Sequence, residues 1–519
     1  MASRVLVLGG TVVALGQHGV LTDAGVVVEG ERVVAVGPRE EMLALGPFDR
    51  TIGGSDHLVM PGFMNGHYHS ELAVGPGLYQ FIFERANVYV HAGYGPIEER
   101  DLYLCTQLAL VNAIKGGQTG VVDMYYGRPS LPHYGAEVAL QAYLDMGFRV
   151  AFGLVSRDQN RYAHITDEAF LRRLPPDLAR EVAASPMGYA WPVDEVMRTY
   201  DHLADAWDGR GGIIRTVLAP DWTPACSDDL YRLCRSKADE YGTGITSHVL
   251  ETRSEMLWSN DVYGKPAVQR LADLGVLGPD MVCAHFVWVT DDELRIFADS
   301  GAVASNNAGS NLRLSSGICR ARDILETGGR LTFGTDGISF SDSEDMFTEL
   351  RLATYLQRDP RVFDEVRLDS ETVLRAAAEN GARAIRQEGR VGVLAAGYDA
   401  DLLVLDARRI LAPAGRFAET PVLDVLIDRA QAVDLRTVMV RGRVLMDDGV
   451  VTVVDEGRLN DELHEALSRR VYSQSPEVAR WLELARQVEP AVIDFFRPGY
   501  DRPVEPAAVY NARRATTGR

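Results

Sequence analysis

Short apolar runs separated by turn residues open the chain. Val5-Leu6-Val7-Leu8 precedes Gly9-Gly10, and two valine-rich runs, Val26-Val27-Val28 and Val33-Val34-Ala35-Val36, flank Glu29-Gly30-Glu31 in the pattern of a hairpin. Residues 1–60 are therefore expected to form the first part of a β domain, with no obvious catalytic group. From Pro61 the rhythm changes to β-like runs alternating with amphipathic helical stretches, the mark of a parallel sheet or barrel. Candidate strands fall at 63–65, 120–123, 149–153, 213–218, 244–248, 281–285, 302–305 and 331–336. Eight strands are the number that closes a (β/α)8 barrel, here predicted over 61–388.

Strand and turn signals return at 389–455, and this piece pairs with 1–60 as one small β-sandwich domain split around the barrel. The last part, 456–519, reads as a helix over 456–489. Beyond Phe495-Phe496-Arg497-Pro498 the tail has little periodicity, suited either to wrapping a partner subunit or to staying mobile. Between Arg157 and Pro192 the pattern is irregular, broken by Leu174-Pro175-Pro176 and Ser185-Pro186-Met187-Gly188. That insertion is either an active-site lid or a surface excursion.

With 519 residues, 46% of them hydrophobic, the chain can bury a large core. Its 73 acidic against 53 basic residues give a net charge of −20, which repels phosphate backbones and anionic membranes. Nucleic-acid and lipid partners are disfavoured, and a small-molecule ligand is left. No apolar run reaches about eighteen residues and the amino terminus lacks a signal-peptide core, so a cytoplasmic protein is expected, as a homo-oligomer. The five cysteines are scattered without a C-x-x-C pair and read as buried free thiols.

The chemistry gathers at Val59-Met60-Pro61-Gly62-Phe63-Met64-Asn65-Gly66-His67-Tyr68-His69. On a strand, residues i and i+2 point the same way roughly 6.6–7 Å apart, so His67 and His69 can converge on one metal ion. They fall at the carboxyl end of the first barrel strand, the end where barrels carry their chemistry. Three later strands end in His248, His285 and Asp336. Zinc and similar ions bind imidazole nitrogen and carboxylate oxygen at about 2.0–2.2 Å and keep one position for water when catalytic. His67, His69, His248 and Asp336 would fill such a site. His18, His57, His91, His133, His164, His202 and His464 are assigned no role. Tyr125, Tyr126, Trp222 and Trp288 follow barrel strands, where they either stack on a flat ring or pack at the rim.

The histidine motif resembles that of the amidohydrolase superfamily. Three later motifs, in order along the chain, narrow the likeness to the branch of triazine hydrolases, S-adenosylhomocysteine deaminases and guanine deaminases. They are Ser247-His248-Val249-Leu250-Glu251-Thr252-Arg253-Ser254-Glu255, Ser310-Asn311-Leu312-Arg313-Leu314-Ser315-Ser316-Gly317 and Gly334-Thr335-Asp336-Gly337. The resemblance implies His67, His69, His248 and Asp336 as metal ligands, Glu251 as proton shuttle and His285 as the partner of the attacking water. Asp336 then serves as both ligand and catalytic group. The reaction implied is hydrolytic deamination of a nitrogen heterocycle or amidine. Loss of another leaving group, such as halide or alkylamine, and a non-catalytic scaffold are the alternatives.

Dinuclear members of the superfamily bridge two metals with a modified lysine on the fourth strand. This chain has only Lys115, Lys237 and Lys265, none within 213–218. One divalent ion is expected, zinc ahead of iron(II) or manganese(II). The branch often carries histidine after the Ala219-Pro220 pair, where this chain has Asp221. That departure marks Asp221, with Trp222 and Tyr125, as an expected substrate contact.

Overall fold

Eight short parallel strands with buried faces form the ring that the apolar runs predict. The protein is described here as a computed structural model covering residues 3–73, 82–92, 98–189, 191–341, 343–358, 368–413, 420–470 and 476–502. Among these residues the barrel strands are β1 (Phe63–Tyr68), β2 (Gln118–Tyr125), β3 (Arg149–Ser156), β4 (Ile214–Thr216), β5 (Ile245–Val249), β6 (Met281–His285), β7 (Val303–Asn306) and β8 (Arg330–Phe333).

β1 to β4 pair in parallel in chain order, and so do β5 to β8. Single bridges join the halves at two places. At one, the Thr246 N–H donates to the Leu218 carbonyl at 2.8 Å; at the other, the Asp336 N–H donates to His67 O and the His69 N–H to Asp336 O, each at 3.0 Å. The second joint lies inside the candidate site, so closing the ring and gathering the chemistry are one event.

The interior is filled rather than hollow. A Cβ on Gly66 would lie 2.4 Å from Thr332 Cγ2 and 2.9 Å from Ser305 Oγ. Gly66→Ala is expected to destabilise the fold by about 1–3 kcal/mol, the cost of overpacking a tight core. Thermal unfolding checks this, and an unchanged midpoint would mean that β7 and β8 have slack to give.

The β-rich domain draws on both flanks of the barrel. Arg4–Leu15, Gly19–Glu29, Arg32–Pro38 and Arg50–Pro61 join Leu402–Asp406, Leu435–Val440, Arg443–Asp447 and Val450–Val451 in one eight-stranded sheet. Arg50–Pro61 sits between Arg4–Leu15 and Leu402–Asp406, which brings the two flanks together. The expected hairpin forms around Gly30, whose φ of 59° suits a residue without Cβ. Val12, Val26, Val404 and Met439 pack on one another, whereas Leu58, Met60, Leu403 and Leu405 join the barrel core. Arg149 at the start of β3 is buried and donates to Asp401 at 2.6 Å and Asp399 at 2.8 Å, tying barrel to sheet.

The carboxyl-terminal part corrects the sequence expectation. Among the described residues helix spans Glu456–Arg470 and Pro476–Asp501, past the expected end at 489, and the latter stretch continues through Pro490 and Pro498. Its stripe of Val478, Leu484, Ala485, Val488, Val492 and Phe496 is buried, and that burial offsets what two prolines cost a helix. The tail from 503 lies outside the described residues. The insertion after β3 folds into Asp167–Leu171 and Pro176–Ala184, with Phe170, Leu174, Val182 and Met187 packed on the Pro476–Asp501 stripe. All five cysteines are free and buried. Among the described residues no helix is long and apolar enough to cross a membrane.

Candidate active site

β1 delivers His67 and His69, and Asn65 sets their backbone. The Asn65 amide donates to Gln118 Oε1 at 3.0 Å and Thr335 Oγ1 at 2.8 Å, while its oxygen accepts from the N–H groups of His67 and Thr335. The start of β2 and the segment after β8 are thereby held to β1. Leu250, His285 and Asp336 have φ of 54°, 69° and 64°, left-handed values that cost non-glycine residues about 1–3 kcal/mol each. These bends stop the ladders and aim side chains at a common centre.

Asp336 Oδ1 lies 3.4 Å from His67 Nε2 and 3.3 Å from His69 Nε2, and His248 Nε2 lies 3.4 Å from His69 Nε2. The outer atoms of His69, His248 and Asp336 are engaged elsewhere. His69 Nδ1–H donates to Met124 O at 2.6 Å, His248 Nδ1–H donates to Asp221 O at 2.7 Å, and Asp336 Oδ2 accepts from Ser310 Oγ at 2.5 Å. This fixes the tautomers of His69 and His248 so that their Nε2 lone pairs face inward. The inward atoms are less well served, since His67 Nε2 and Asp336 Oδ1 are buried without a hydrogen-bond partner. Buried polar atoms are rarely left so, and three imidazoles with one carboxylate are a donor set that fits a divalent ion such as zinc. Burial alone would raise the Asp336 pKa, but the imidazoles of His67 and His69 outweigh it and hold the carboxyl well below its usual range.

Two further groups border the cluster. His285 Nδ1 lies 2.9 Å from Asn311 Oδ1, to which it donates, and burial pushes its pKa down to about 4, so the ring is neutral with Nε2 as acceptor. That nitrogen stands 3.8 Å from Glu251 Oε2. Glu251 is buried, and burial first, then the charges of Asp336 and Glu255, raise its pKa well above the carboxylate range. The shift favours its protonated form. Glu255 steadies its loop, accepting from the Glu251 N–H at 2.8 Å and from Thr223 Oγ1 at 2.5 Å.

Above the cluster opens a pocket of about 490 Å³, counting its mouth. Phe83, Val90, Trp222, Leu314 and Phe340 give it apolar walls, with Asn87, Tyr126 and Asp221 as polar points. A flat heterocycle suits such a space, with its reacting edge toward the cluster.

The sequence profile of the Amidohydrolase family matches residues 58–445. The chain belongs to that family. It is 28% identical to the 5-methylthioadenosine/S-adenosylhomocysteine deaminase of Pyrococcus abyssi, over 90% of this chain and 99% of that one. It is 30% identical to the 5'-deoxyadenosine deaminase of Methanosarcina barkeri, over 88% and 95%. Among solved structures, an adenosine deaminase from Xanthomonas campestris with bound zinc matches at a TM-score of 0.75 and 26% identity, over 90% of this chain and 98% of that one. This amidohydrolase is a hydrolase of carbon–nitrogen bonds other than peptide bonds.

The amidohydrolase brings His67, His69, His248, His285 and Asp336 together as the strand ends predict, with Glu251 beside His285 as the resemblance implies. Tyr125 is a correction. It is fully buried, its hydroxyl donates to Tyr134 O at 3.1 Å and its ring packs on Phe152, while Tyr126 reaches the pocket. Successive strand residues face opposite sides, and β2 is phased to turn Tyr126 inward. Trp222 does line the pocket, edge-on to Phe83, whereas Trp288 donates to Ser316 O at 2.6 Å and is no part of that wall. Asp221 lines it too, accepting from Tyr126 OH at 3.1 Å, with Arg157 Nη1 at 3.8 Å.

Each lysine is engaged elsewhere, Lys115 with Glu456, Lys237 with Asp201 and Lys265 with Asp273. Sequence reasoning passed over Phe83, Asn87 and Val90, one face of the helix Phe83–Ala92, whose i, i+4, i+7 spacing was the available signal. His164, which was assigned no role, is buried behind Trp222, the ring centroids 5.0 Å apart.

Proposed function

We propose that this metal-dependent hydrolytic deaminase removes the 6-amino group of an adenine nucleoside, with one divalent ion, zinc, held by His67, His69, His248 and Asp336. The observation that carries the reading is the convergence of four inward ligand atoms, two of them, His67 Nε2 and Asp336 Oδ1, without a hydrogen-bond partner, beside a buried Glu251 whose pKa is raised, on the floor of a flat-walled pocket. The deaminases of adenine nucleosides among the relatives support the substrate class. An ion bound there supplies the nucleophile, because coordination lowers the pKa of water toward about 7.

The chain's own residues do the rest. Glu251 gives its proton to the purine N1 and so makes C6 more electrophilic. As the new C6–O bond forms, the Glu251 carboxylate takes the proton from that oxygen and passes it to the exocyclic nitrogen, which leaves as ammonia when the C6–N bond breaks. Neutral His285, held by Asn311, accepts a hydrogen bond at Nε2 and aligns the incoming oxygen. Trp222 and Phe83 pack against the ring faces.

Zinc-loaded protein should release ammonia from adenosine, 5'-deoxyadenosine or 5'-methylthioadenosine, with the ultraviolet spectrum changing from adenine to hypoxanthine. Ammonia from guanine but from none of these three would overturn the nucleoside assignment.

Asp221 accepts from a donor on the substrate. Its carbonyl, not its carboxylate, holds His248 most closely, at 2.7 Å against 3.3 Å. Asp221→Asn should therefore keep its metal and lose about tenfold in kcat/KM, the scale of one charge-assisted hydrogen bond. Loss of metal in that variant would instead make the side chain a support for His248.

A further inference from the structure

Away from the active site, one further set of metal-ligating side chains converges among the described residues: His133, Glu137 and His202. It lies on the outside of the barrel, where the turn after β2 meets the helices Ala136–Met146 and Val193–Trp207. Glu137 stands in the first turn of one helix, His133 four residues before it, and His202 on the other helix. His202 Nε2 lies 3.1 Å from Glu137 Oε1, and His133 Nε2 lies 4.0 Å from Glu137 Oε2. The two imidazoles face each other with ring centroids 4.4 Å apart and planes 16° from parallel.

A single histidine is enough to pair a surface carboxylate, and here there are two. Both cannot be protonated face to face without repelling, so one of them presents a neutral ring to the other. At 4.0 Å, His133 Nε2 is too far from Glu137 to hydrogen-bond. Zinc stands about 2.0–2.2 Å from imidazole nitrogen and carboxylate oxygen, so one ion can span both separations. The carboxylate is prepared for that role. Its Oε1 also accepts from Trp207 Nε1–H at 3.0 Å, the kind of outer hydrogen bond that orients a metal ligand. Burial alone would raise the Glu137 pKa, but the hydrogen bonds from Trp207 and His202 outweigh it and hold the carboxyl below its usual range. His133 and Tyr134 take left-handed φ of 46° and 57°, a bend that non-glycine residues adopt only where their surroundings hold it. The three side chains are 39–41% exposed, which leaves the position open to ions in solution.

We propose that His133, Glu137 and His202 form a second divalent-ion site, for zinc or the similar ions nickel and cobalt, that ties the turn after β2 to the helix Val193–Trp207. Imidazole and carboxylate together suit ions of this kind. Three exposed ligands hold an ion less firmly than the four buried ones of the active site, so this ion exchanges and is lost on dialysis against metal-free buffer. The turn it fixes leads back to the substrate pocket. Tyr134 O accepts from the Arg128 N–H at 2.7 Å and from Tyr125 OH at 3.1 Å, and Tyr126 beside them lines that pocket. The site is independent of the reaction proposed above.

The test starts from dialysed enzyme carrying its active-site zinc. Titrated with zinc, wild type should take up a second equivalent and release it on renewed dialysis. His133→Ala and His202→Ala should each keep the first equivalent and weaken the second at least about tenfold, since even loss of a hydrogen-bonding partner to a ligand costs that much. Cobalt(II), which quenches a neighbouring indole, should dim the fluorescence of the zinc-loaded enzyme, and both Trp207→Phe and His202→Ala should remove that loss. Uptake of no second equivalent by wild type would overturn the site and leave a hydrogen-bonded pair of Glu137 and His202. A second equivalent bound as well by both alanine variants, or quenching that survives His202→Ala, would overturn it by placing the ion elsewhere.

Discussion

Replacing His67 or Asp336 with alanine is expected to strip the metal and bring turnover to background. Each side chain supplies one of four inward donor atoms, and the survivors would be left as orphaned buried groups in a site with three ligands. Loss of a mere hydrogen-bonding partner to a ligand costs about 10–100-fold in metal affinity, so loss of a ligand should leave activity below about 1% of wild type. Elemental analysis after dialysis, run beside ammonia release, checks both effects. Wild type should retain one equivalent of zinc; two equivalents would overturn the single-ion assignment, and turnover in a metal-free variant would overturn the metal's role. Ser310→Ala should be milder, because it removes only the hydrogen bond that aims Asp336 Oδ2.

Glu251→Gln should keep the metal and lose about 10²–10⁴-fold in kcat, the usual contribution of a positioned proton-transfer group. Glu251 lies outside the groups of three whose ligand atoms converge, so its removal leaves the metal donors complete. Glutamine keeps the shape and keeps a hydrogen-bonding end, but it has no proton to cycle between N1, the incoming oxygen and the leaving amine. Burial favours the protonated form of Glu251, the form that its proposed first step requires. A variant with near-normal turnover and full metal content would sink the assignment. Together with the alanine variants it separates assembly of the site from proton transfer within it.

Much of this was legible because strand ends are local features. A buried parallel strand must be a short apolar run closed by turn residues, so each of the eight runs is overlapped by an observed strand. The candidate site residues follow from the run endings, since His67, His248, His285 and Asp336 stand close to the carboxyl ends of β1, β5, β6 and β8. Boundaries were less legible. β8 stops at Phe333, three residues before the expected end, because Asp336 takes a left-handed turn that no propensity announces.

By itself the sequence determined the barrel, the flanking β-rich pieces and the gathering of three imidazoles and a carboxylate. Periodicity and the i, i+2 spacing of His67 and His69 are properties of a single strand and need no knowledge of neighbours. Tertiary structure alone decided that Tyr126 rather than Tyr125 meets the pocket, since strand phase is set by what packs on either face. It also decided the acceptors that orient His69 and His248, because the carbonyls of Met124 and Asp221 are backbone atoms that every residue type carries. The helix that runs through Pro490 and Pro498 persists for the same kind of reason. Its local cost is visible in the chain, but the burial that offsets it comes from Met187 and the insertion some three hundred residues earlier. Likewise Tyr500 meets Glu84 across 416 residues of sequence, a contact specified by packing and by no local pattern.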